Sequence, residues 1–488
     1  MNTISDKHVF KVSLGLVFVI FHLGVLFACS RINLDDNELK VISTPSLTNK
    51  ITATTSNYVI KQTTSTPYIS KSPKPTPVFE PPTIILPTPI IKLGTPTPLS
   101  GDRIQRLLRS VELRTSALRD LSKKKSFNLE LIDRENFRDI LIEIFEEDRQ
   151  KINNNEALYR AMGIISPQNS LIELLLSLYT VGGLGLYRWE DNTVYLVVDT
   201  EKFEPVNERT YVHEYVHVLQ QQHFDIQSMY KSVKDNSDAV LAFRALVEGD
   251  ARMTELNYLY QNMTIEERQQ SEGAPDPGLV EVFRSAPYVV QREYVFPYRE
   301  GGDFVASLYR DFGWQSIDAV FSNMPQSTEQ ILHPEKYIND ESPIVVYLPD
   351  FLEKLGPGWV KVQQDTLGEL FLQSYLMTGG AIDEGREAAA GWGGDSYVLL
   401  KNIDGSGLLV ISVVWDTLND AIEFYDLFLS LTQNRTGGKF ESLGENPNIA
   451  RLFLDQDVSI AVKLKDKETT IIFAPSNQVF GTVISFFE

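Results

Sequence analysis

The sequence has little cysteine and a deficit of basic residues, and each shortage excludes a class of protein. Its 488 residues include one cysteine, Cys29, so the chain cannot form an intrachain disulfide or a cysteine-rich metal cluster. It carries 45 Lys and Arg against 65 Asp and Glu, a formal net charge of −20. We expect no nucleic-acid partner, because phosphate binding depends on clustered basic side chains. Hydrophobic residues make up 43% of the chain, which is enough for a large globular core.

The first 28 residues have the pattern of a secretory signal peptide. Lys7 and Lys11 precede a mainly apolar run over 12–28, and a basic start followed by a short apolar core is typical of such signals. The run ends in LFAC, residues 26–29, which is similar to a bacterial lipobox. We therefore expect Cys29 to be lipidated, with palmitate as one acyl group, and to anchor an extracytoplasmic protein to the cell membrane. A plain signal or an uncleaved anchor is the alternative.

Residues 29–100 are predicted to be a disordered tether. Eleven of the 24 prolines lie between Pro45 and Pro98, among many Thr and Ser residues. Such a composition buries too little apolar surface to offset the entropy of the chain, so it stays extended. The tether would hold the folded part of the protein away from a lipid surface.

From residue 101 onward the pattern predicts an α+β fold in two domains. Residues 101–384 are mainly helical, with long helices over 206–224 and 237–262 and a β-hairpin that turns at Asp191-Asn192. Residues 385–488 alternate strand-like runs with an amphipathic helix over 417–431. We expect a helical domain with a small sheet, followed by an α+β accessory domain.

The helix over 206–224 contains an HExxH motif, His213 to His217. Two histidines four residues apart lie one turn apart on the same face of a helix, so both imidazoles can reach one metal ion. Glu214 then lies beside a metal-bound water, where a carboxylate can accept a proton. Chance produces this motif in roughly half a percent of such chains. The pattern predicts a site for one Zn²⁺ ion with Glu214 as the catalytic base.

Two residues are candidates for the third metal ligand. His223 follows His217 by six residues, but Gln220 stands where a sharp turn would need glycine. In a continuous helix, His223 points away from the metal and packs against the core. Glu248 lies on the second long helix, and Gly249 beside it permits a close approach of helices. The alternative for Glu248 is a surface ion pair with an arginine four residues away.

Four further residues are candidates for supporting roles. Asp250 or Asp225 would accept the second N–H of a ligand histidine and fix its tautomer. Tyr298 or His333 would stabilise the oxyanion opposite Glu214. The alternative for His333 is a role as the cap of a short helix next to Pro334.

The chain resembles a little-characterised family of secreted or lipid-anchored HExxH proteins of bacteria and haloarchaea that are described as metallopeptidases. The resemblance runs from about residue 104 to near the end. Its landmarks are His213–Asp225, Ala245–Ala251, Phe296–Tyr298, Ser327–Tyr337, Leu355–Trp359 and Gly391–Asp395. The resemblance implies a zincin-like, specifically gluzincin-like, peptidase with Glu248 as the third ligand. Gln221 and Arg188 depart from the family pattern, and neither is a proposed ligand.

These observations predict a cell-surface zinc metallopeptidase that hydrolyses peptide bonds of a protein or peptide substrate. In this hypothesis an extended substrate pairs with the edge of the strand over 194–198. The competing hypothesis is a lipid-anchored binding or structural module whose zinc is stabilising or vestigial. Glu214 argues for the enzyme, because a purely structural metal site needs no base.

Overall fold

A computed structural model of the chain describes residues 18–21, 97–98, 101–200, 202–272, 276–443 and 446–487. Cys29 and almost all of the predicted signal and tether lie outside these residues, so those statements stay predictions. Within the described ranges, no helix has both the length and the apolar character needed to cross a membrane. Residues 95–488 belong to one compact unit.

The helices of the described residues surround and connect two main sheets. In chain order, the first nine are α1 (Asp102–Arg119), α2 (Arg134–Glu147), α3 (Arg149–Ala161), α4 (Leu171–Gly182), α5 (Pro205–Phe224), α6 (Ile226–Val233), α7 (Ser237–Asn262), α8 (Ile265–Glu272) and α9 (Pro277–Ser285). The later ones are α10 (Tyr288–Phe312), α11 (Trp314–Ser322), α12 (Thr328–Leu332), α13 (Pro334–Ile338), α14 (Leu352–Leu355), α15 (Gly368–Met377), α16 (Ile382–Ala389), α17 (Leu418–Thr436) and α18 (Asn477–Ile484).

The strands divide into an N-terminal and a C-terminal group. The first group is β1 (Phe18–Phe21), β2 (Thr97–Pro98), β3 (Asn128–Ile132), β4 (Gly183–Arg188), β5 (Thr193–Val197) and β6 (Lys202–Phe203). The second group is β7 (Trp359–Asp365), β8 (Trp392–Asn402), β9 (Gly407–Trp415), β10 (Glu441–Leu443), β11 (Asn446–Phe453), β12 (Ser459–Lys465) and β13 (Glu468–Ala474).

The N-terminal sheet has the strand order β1-β4-β5-β3. The predicted hairpin is confirmed as the antiparallel pair β4 and β5, and Asn192 in its turn adopts a left-handed φ of 54°, which asparagine tolerates. The predicted substrate edge over 194–198 is wrong, because β5 is a central strand. Its two edges pair with β4 and, in parallel, with β3.

The C-terminal sheet has seven antiparallel strands in the order β10-β11-β12-β13-β9-β8-β7. Alternate side chains face two cores: Ile411 and Val462 pack towards α17, whereas Val410 and Ala461 pack towards α18. This arrangement confirms the α+β class. The sheet begins at β7, before the predicted domain boundary at residue 385, and one core extends from Phe137 to Ile471. The predicted boundary therefore does not divide the core.

The two long helices predicted from the sequence are confirmed as α5 and α7. Most residues of both helices are buried, including all those around the HExxH motif and Glu248. Helix α7 packs closely on α10 because glycines face each other: a Cβ added to Gly249 would lie 2.2 Å from the carbonyl oxygen of Gly301. This close packing fixes the part of α7 that carries Glu248.

Candidate metal centre

Helices α5 and α7 bring His213, His217 and Glu248 together in the interior. All three side chains are buried, and one ligand atom from each lies within 4.8 Å of the other two. The Nε2 atoms of His213 and His217 are 3.1 and 3.6 Å from Oε2 of Glu248. The three residues form a group that can bind a metal ion.

The geometry of this group fits a tetrahedral metal ion. With metal–ligand distances of about 2.0–2.1 Å, two ligands of a tetrahedral site are about 3.3 Å apart. The two measured separations, 3.1 and 3.6 Å, bracket that value. The second carboxylate oxygen of Glu248, Oε1, is buried without a hydrogen-bond partner among the described residues. A metal ion would compensate for such a buried charged group.

Glu255 orients the first ligand, His213. Its Oε2 lies 2.9 Å from Nδ1 of His213, and its other oxygen accepts hydrogen bonds from Arg209 and from Arg252. Burial raises the pKa of Glu255, but the two arginines and His213 together bring it well below its ordinary value. Because Glu255 stays ionised, it holds His213 with Nε2 facing the metal position. Glu255 was not predicted from the sequence, although it follows Glu248 by two helical turns on the same face.

A chain of three side chains orients the second ligand, His217. Its Nδ1 lies 2.7 Å from the amide oxygen of Gln220. The amide nitrogen of Gln220 donates to Asp250 over 2.8 Å, and Arg119 of α1 donates to the same carboxylate over 2.6 Å. The prediction was a direct hydrogen bond between Asp250 and a ligand histidine. Asp250 instead acts on His217 through Gln220. Gln220 and Arg119 were not predicted.

Asp225 does not have the predicted supporting role. Its carboxylate accepts hydrogen bonds from Ser228 and Gln221, and it caps the start of α6. Its φ of 56° places it in the left-handed region where α5 ends. The residue stops the helix just beyond the motif, and the second ring nitrogens of the two ligand histidines face Glu255 and Gln220 instead.

Glu214 is buried beside the metal-binding group and faces β4. A Cβ added to Gly185 of β4 would lie 2.6 Å from Oε1 of Glu214, so a larger residue there would displace this carboxylate. Burial and the neighbouring Glu248 raise the pKa of Glu214 well above its ordinary value, and the backbone N–H of Tyr187 offsets part of that increase. Glu214 therefore lies between the metal position and the backbone of β4.

The structure separates the two candidates for oxyanion stabilisation. The ring of Tyr298 is 6.4 Å from that of His213, so Tyr298 belongs to the site. His333 instead lies between α12 and α13, where its Nε2 is 3.0 Å from Glu369. It ends one helix and precedes Pro334, the first residue of the next. This is the structural role that was the alternative for His333.

His223 is not part of the metal-binding group. Helix α5 continues through Phe224, so His223 is turned away, and its Nε2 lies 2.7 Å from the carbonyl oxygen of Ser122. The absence of glycine at position 220 predicted this orientation, although the side chain is partly exposed and not buried in the core.

Comparison with known proteins adds one match. Residues 355–483 match the model of a domain of unknown function, DUF8575. This segment contains all seven strands of the C-terminal sheet and does not include any residue of the metal-binding group. No curated protein and no solved structure matches the chain.

Proposed function

We propose that this protein is a zinc-dependent metallopeptidase with a gluzincin-like site. The observation that carries the proposal is the combination of a buried His213–His217–Glu248 group with a fourth acidic residue, Glu214, that is adjacent but not one of the ligands. Two histidines and one glutamate are a catalytic zinc set that leaves a coordination position open. A structural site has no need of Glu214 at that position.

Each residue of the site has a defined part in the proposed reaction. Bound zinc supplies a Lewis acid that polarises the peptide carbonyl and makes water more acidic. Glu214 accepts the proton of the attacking water and delivers it to the leaving amine. Tyr298, next to His213, donates a hydrogen bond to the developing oxyanion.

The outer edge of β4 is the proposed place for an extended substrate. This strand passes directly beside Glu214, and its outer edge already pairs antiparallel with β1, with Ile20 opposite Gly185. An extended segment at this edge thus lies next to the proposed base. Removal of residues 1–28 as a signal would leave the edge available to a peptide from another protein.

Secretion and lipid attachment at Cys29 complete the proposal. The Pro-rich segment would then separate the enzyme from the membrane by an extended chain, and its substrates would be extracytoplasmic proteins or peptides. Metabolic labelling with a palmitate analogue, compared between wild type and Cys29→Ser, tests the attachment.

The proposed activity is tested with Glu214→Gln. This variant should retain one zinc per chain while cleavage of a broad peptide library falls by about 10²- to 10⁴-fold, because only the proton transfer is removed. Glu266→Gln, at an exposed position on α8, is the matched control and should cleave like wild type. If wild type binds zinc but cleaves no peptide, the protein is a binding module with a stabilising metal.

A further inference from the structure

Arg244 is a cation on the same helix face as the ligand Glu248. It precedes Glu248 by four residues on α7, so the two side chains are neighbours about 6 Å apart along the axis. Among residues 242–252 of α7, Arg244 alone is partly exposed, and the others are buried. Part of the Arg244 side chain is therefore accessible close to the metal-binding group.

Arg244 has no carboxylate partner, unlike the other arginines of this region. Arg119, Arg209 and Arg252 each form an ion pair with Asp250 or Glu255. No carboxylate oxygen of a described residue lies within ion-pair distance, 4.0 Å, of the Arg244 guanidinium. Its Nε is buried and lacks a hydrogen-bond partner in the described part of the chain. A buried cation is costly unless neighbouring polar or negative groups stabilise it.

The groups around Arg244 keep it charged without forming an ion pair: burial lowers its pKa, but Tyr179, Tyr298 and Glu248 raise it above the ordinary value. Tyr179 provides a hydrogen bond, and Tyr298 of the candidate site is a neighbour. Glu293 is the other nearby acid, but its Oε2 accepts a hydrogen bond from Tyr159 over 2.8 Å. Burial raises the pKa of Glu293 to about 7, so it is only partly ionised near neutral pH. Arg244 is therefore a charged side chain whose neighbours are mainly phenol groups and which forms no ion pair with a described carboxylate.

We infer that Arg244 binds a carboxylate of the peptide substrate and so determines specificity. The inference rests on the proposed peptidase function and names its substrate class: peptides with a carboxylate about one or two residues from the scissile bond. Arg244 is offset from Glu248 by one helical turn, about 6 Å. An extended peptide rises about 3.3–3.6 Å per residue, so this offset corresponds to one or two residues of substrate. Both a C-terminal carboxylate and an acidic side chain have this chemistry, and guanidinium groups bind either in a bidentate manner.

Binding to the zinc-loaded Glu214→Gln protein tests the inference without requiring turnover. The probes are three N-acetylated hexapeptides. The first has uncharged side chains and a free C-terminal carboxylate, the second is its C-terminal amide, and the third is that amide with one glutamate near the C-terminus. Titration calorimetry should show one of the two carboxylate peptides binding about 10- to 100-fold more tightly than the neutral amide, as expected for a charge-assisted hydrogen bond. The tighter of the two identifies the source of the carboxylate.

Substitution of Arg244 in the same background completes the test. Arg244→Gln should reduce the preference to within about twofold, Arg244→Lys should restore part of it, and zinc content should not change. Arg109→Gln, at an exposed position on α1, is the control and should keep the full preference. Equal binding of all three peptides, no binding of any, or a preference that survives Arg244→Gln would overturn the inference. Absence of hydrolysis by wild type would contradict the proposed function alone.

Discussion

Two groups of side chains in the described residues have ligand atoms close enough to hold a metal ion, but they differ in how their negative charge is neutralised. The first is the His213–His217–Glu248 group. The second consists of Glu329, Glu341 and Asp416, which we call the carboxylate cluster. Both bring acidic groups together, and both need positive charge to be stable.

In the carboxylate cluster the chain supplies that positive charge itself. The ammonium group of Lys336 lies 2.7 Å from Glu329, 2.6 Å from Glu341 and 2.6 Å from Asp416. In the metal-binding group, two of the three ligands are imidazoles and one is a carboxylate. The nearby arginines, Arg119 and Arg209, do not pair with that carboxylate but with the supporting residues Asp250 and Glu255. The comparison teaches that proximity of ligands does not define a metal site; the placement of the protein's own cations does.

The two groups also connect different parts of the molecule. The carboxylate cluster joins α12 and the segment after α13 to Asp416, just after β9, and so links the helical region to the C-terminal sheet. The metal-binding group joins α5 to α7 within the helical region. Substitutions in one group can therefore serve as controls for the other.

The largest expected effect is the loss of metal from Glu248→Gln. Removal of an anionic ligand should reduce bound zinc to background and abolish hydrolysis, because a neutral amide is a poor zinc ligand. Metal analysis by mass spectrometry after dialysis gives the result. His223→Ala should keep one zinc per chain, and the assignment fails if it is His223→Ala that loses the metal.

A smaller loss of zinc affinity is expected from Glu255→Gln. Groups that orient a ligand histidine typically contribute 10- to 100-fold to metal affinity, and Glu255 is the partner of His213. Competition with a chromogenic chelator measures the change. Lys336→Met, in the carboxylate cluster, should leave zinc affinity unaltered; an equal loss in both variants would indicate general destabilisation.

Lys336→Met should instead lower stability, by about 1–3 kcal/mol. The substitution leaves the buried Glu329 without its cation. The loss of stability should be smaller than for a fully buried ion pair, because Glu341 and Asp416 are partly exposed. Urea unfolding of the zinc-loaded protein measures the difference. Unchanged stability would show that water replaces the ammonium group.

The smallest effect is a change in pH dependence on substitution of Glu329. Burial raises the pKa of Glu329 to about 7, although Lys336 lowers it in part. The folded state therefore binds the proton more tightly than the unfolded state, and the free energy of unfolding falls as pH rises from about 4.5 to about 7. Glu329→Gln should make that decline shallower. Unfolding curves at four pH values across this range test it, and a steeper decline would contradict the assignment.

The sequence predicted the elements that carry strong local patterns. The HExxH motif and the helices around it needed only residue spacing, and Gly249 correctly indicated a close helix contact. Strand β3 was missed because its side chains are mostly exposed or partly exposed, so it has no alternation of buried and exposed residues. Strand β7 was missed for the same reason. A strand at a sheet edge carries little hydrophobic pattern by which to recognise it.

The sequence by itself determined the chemistry of His213, Glu214 and His217, because a helix places residues four apart on one face whatever surrounds it. Only the tertiary structure decided which acid joins them and what holds each ligand in place. Glu255, Gln220 with Asp250, and Arg119 reach the site from three helices. Arg119 lies 131 residues from its partner Asp250. Contacts over such separations depend on helix packing and leave no periodic signal in the chain.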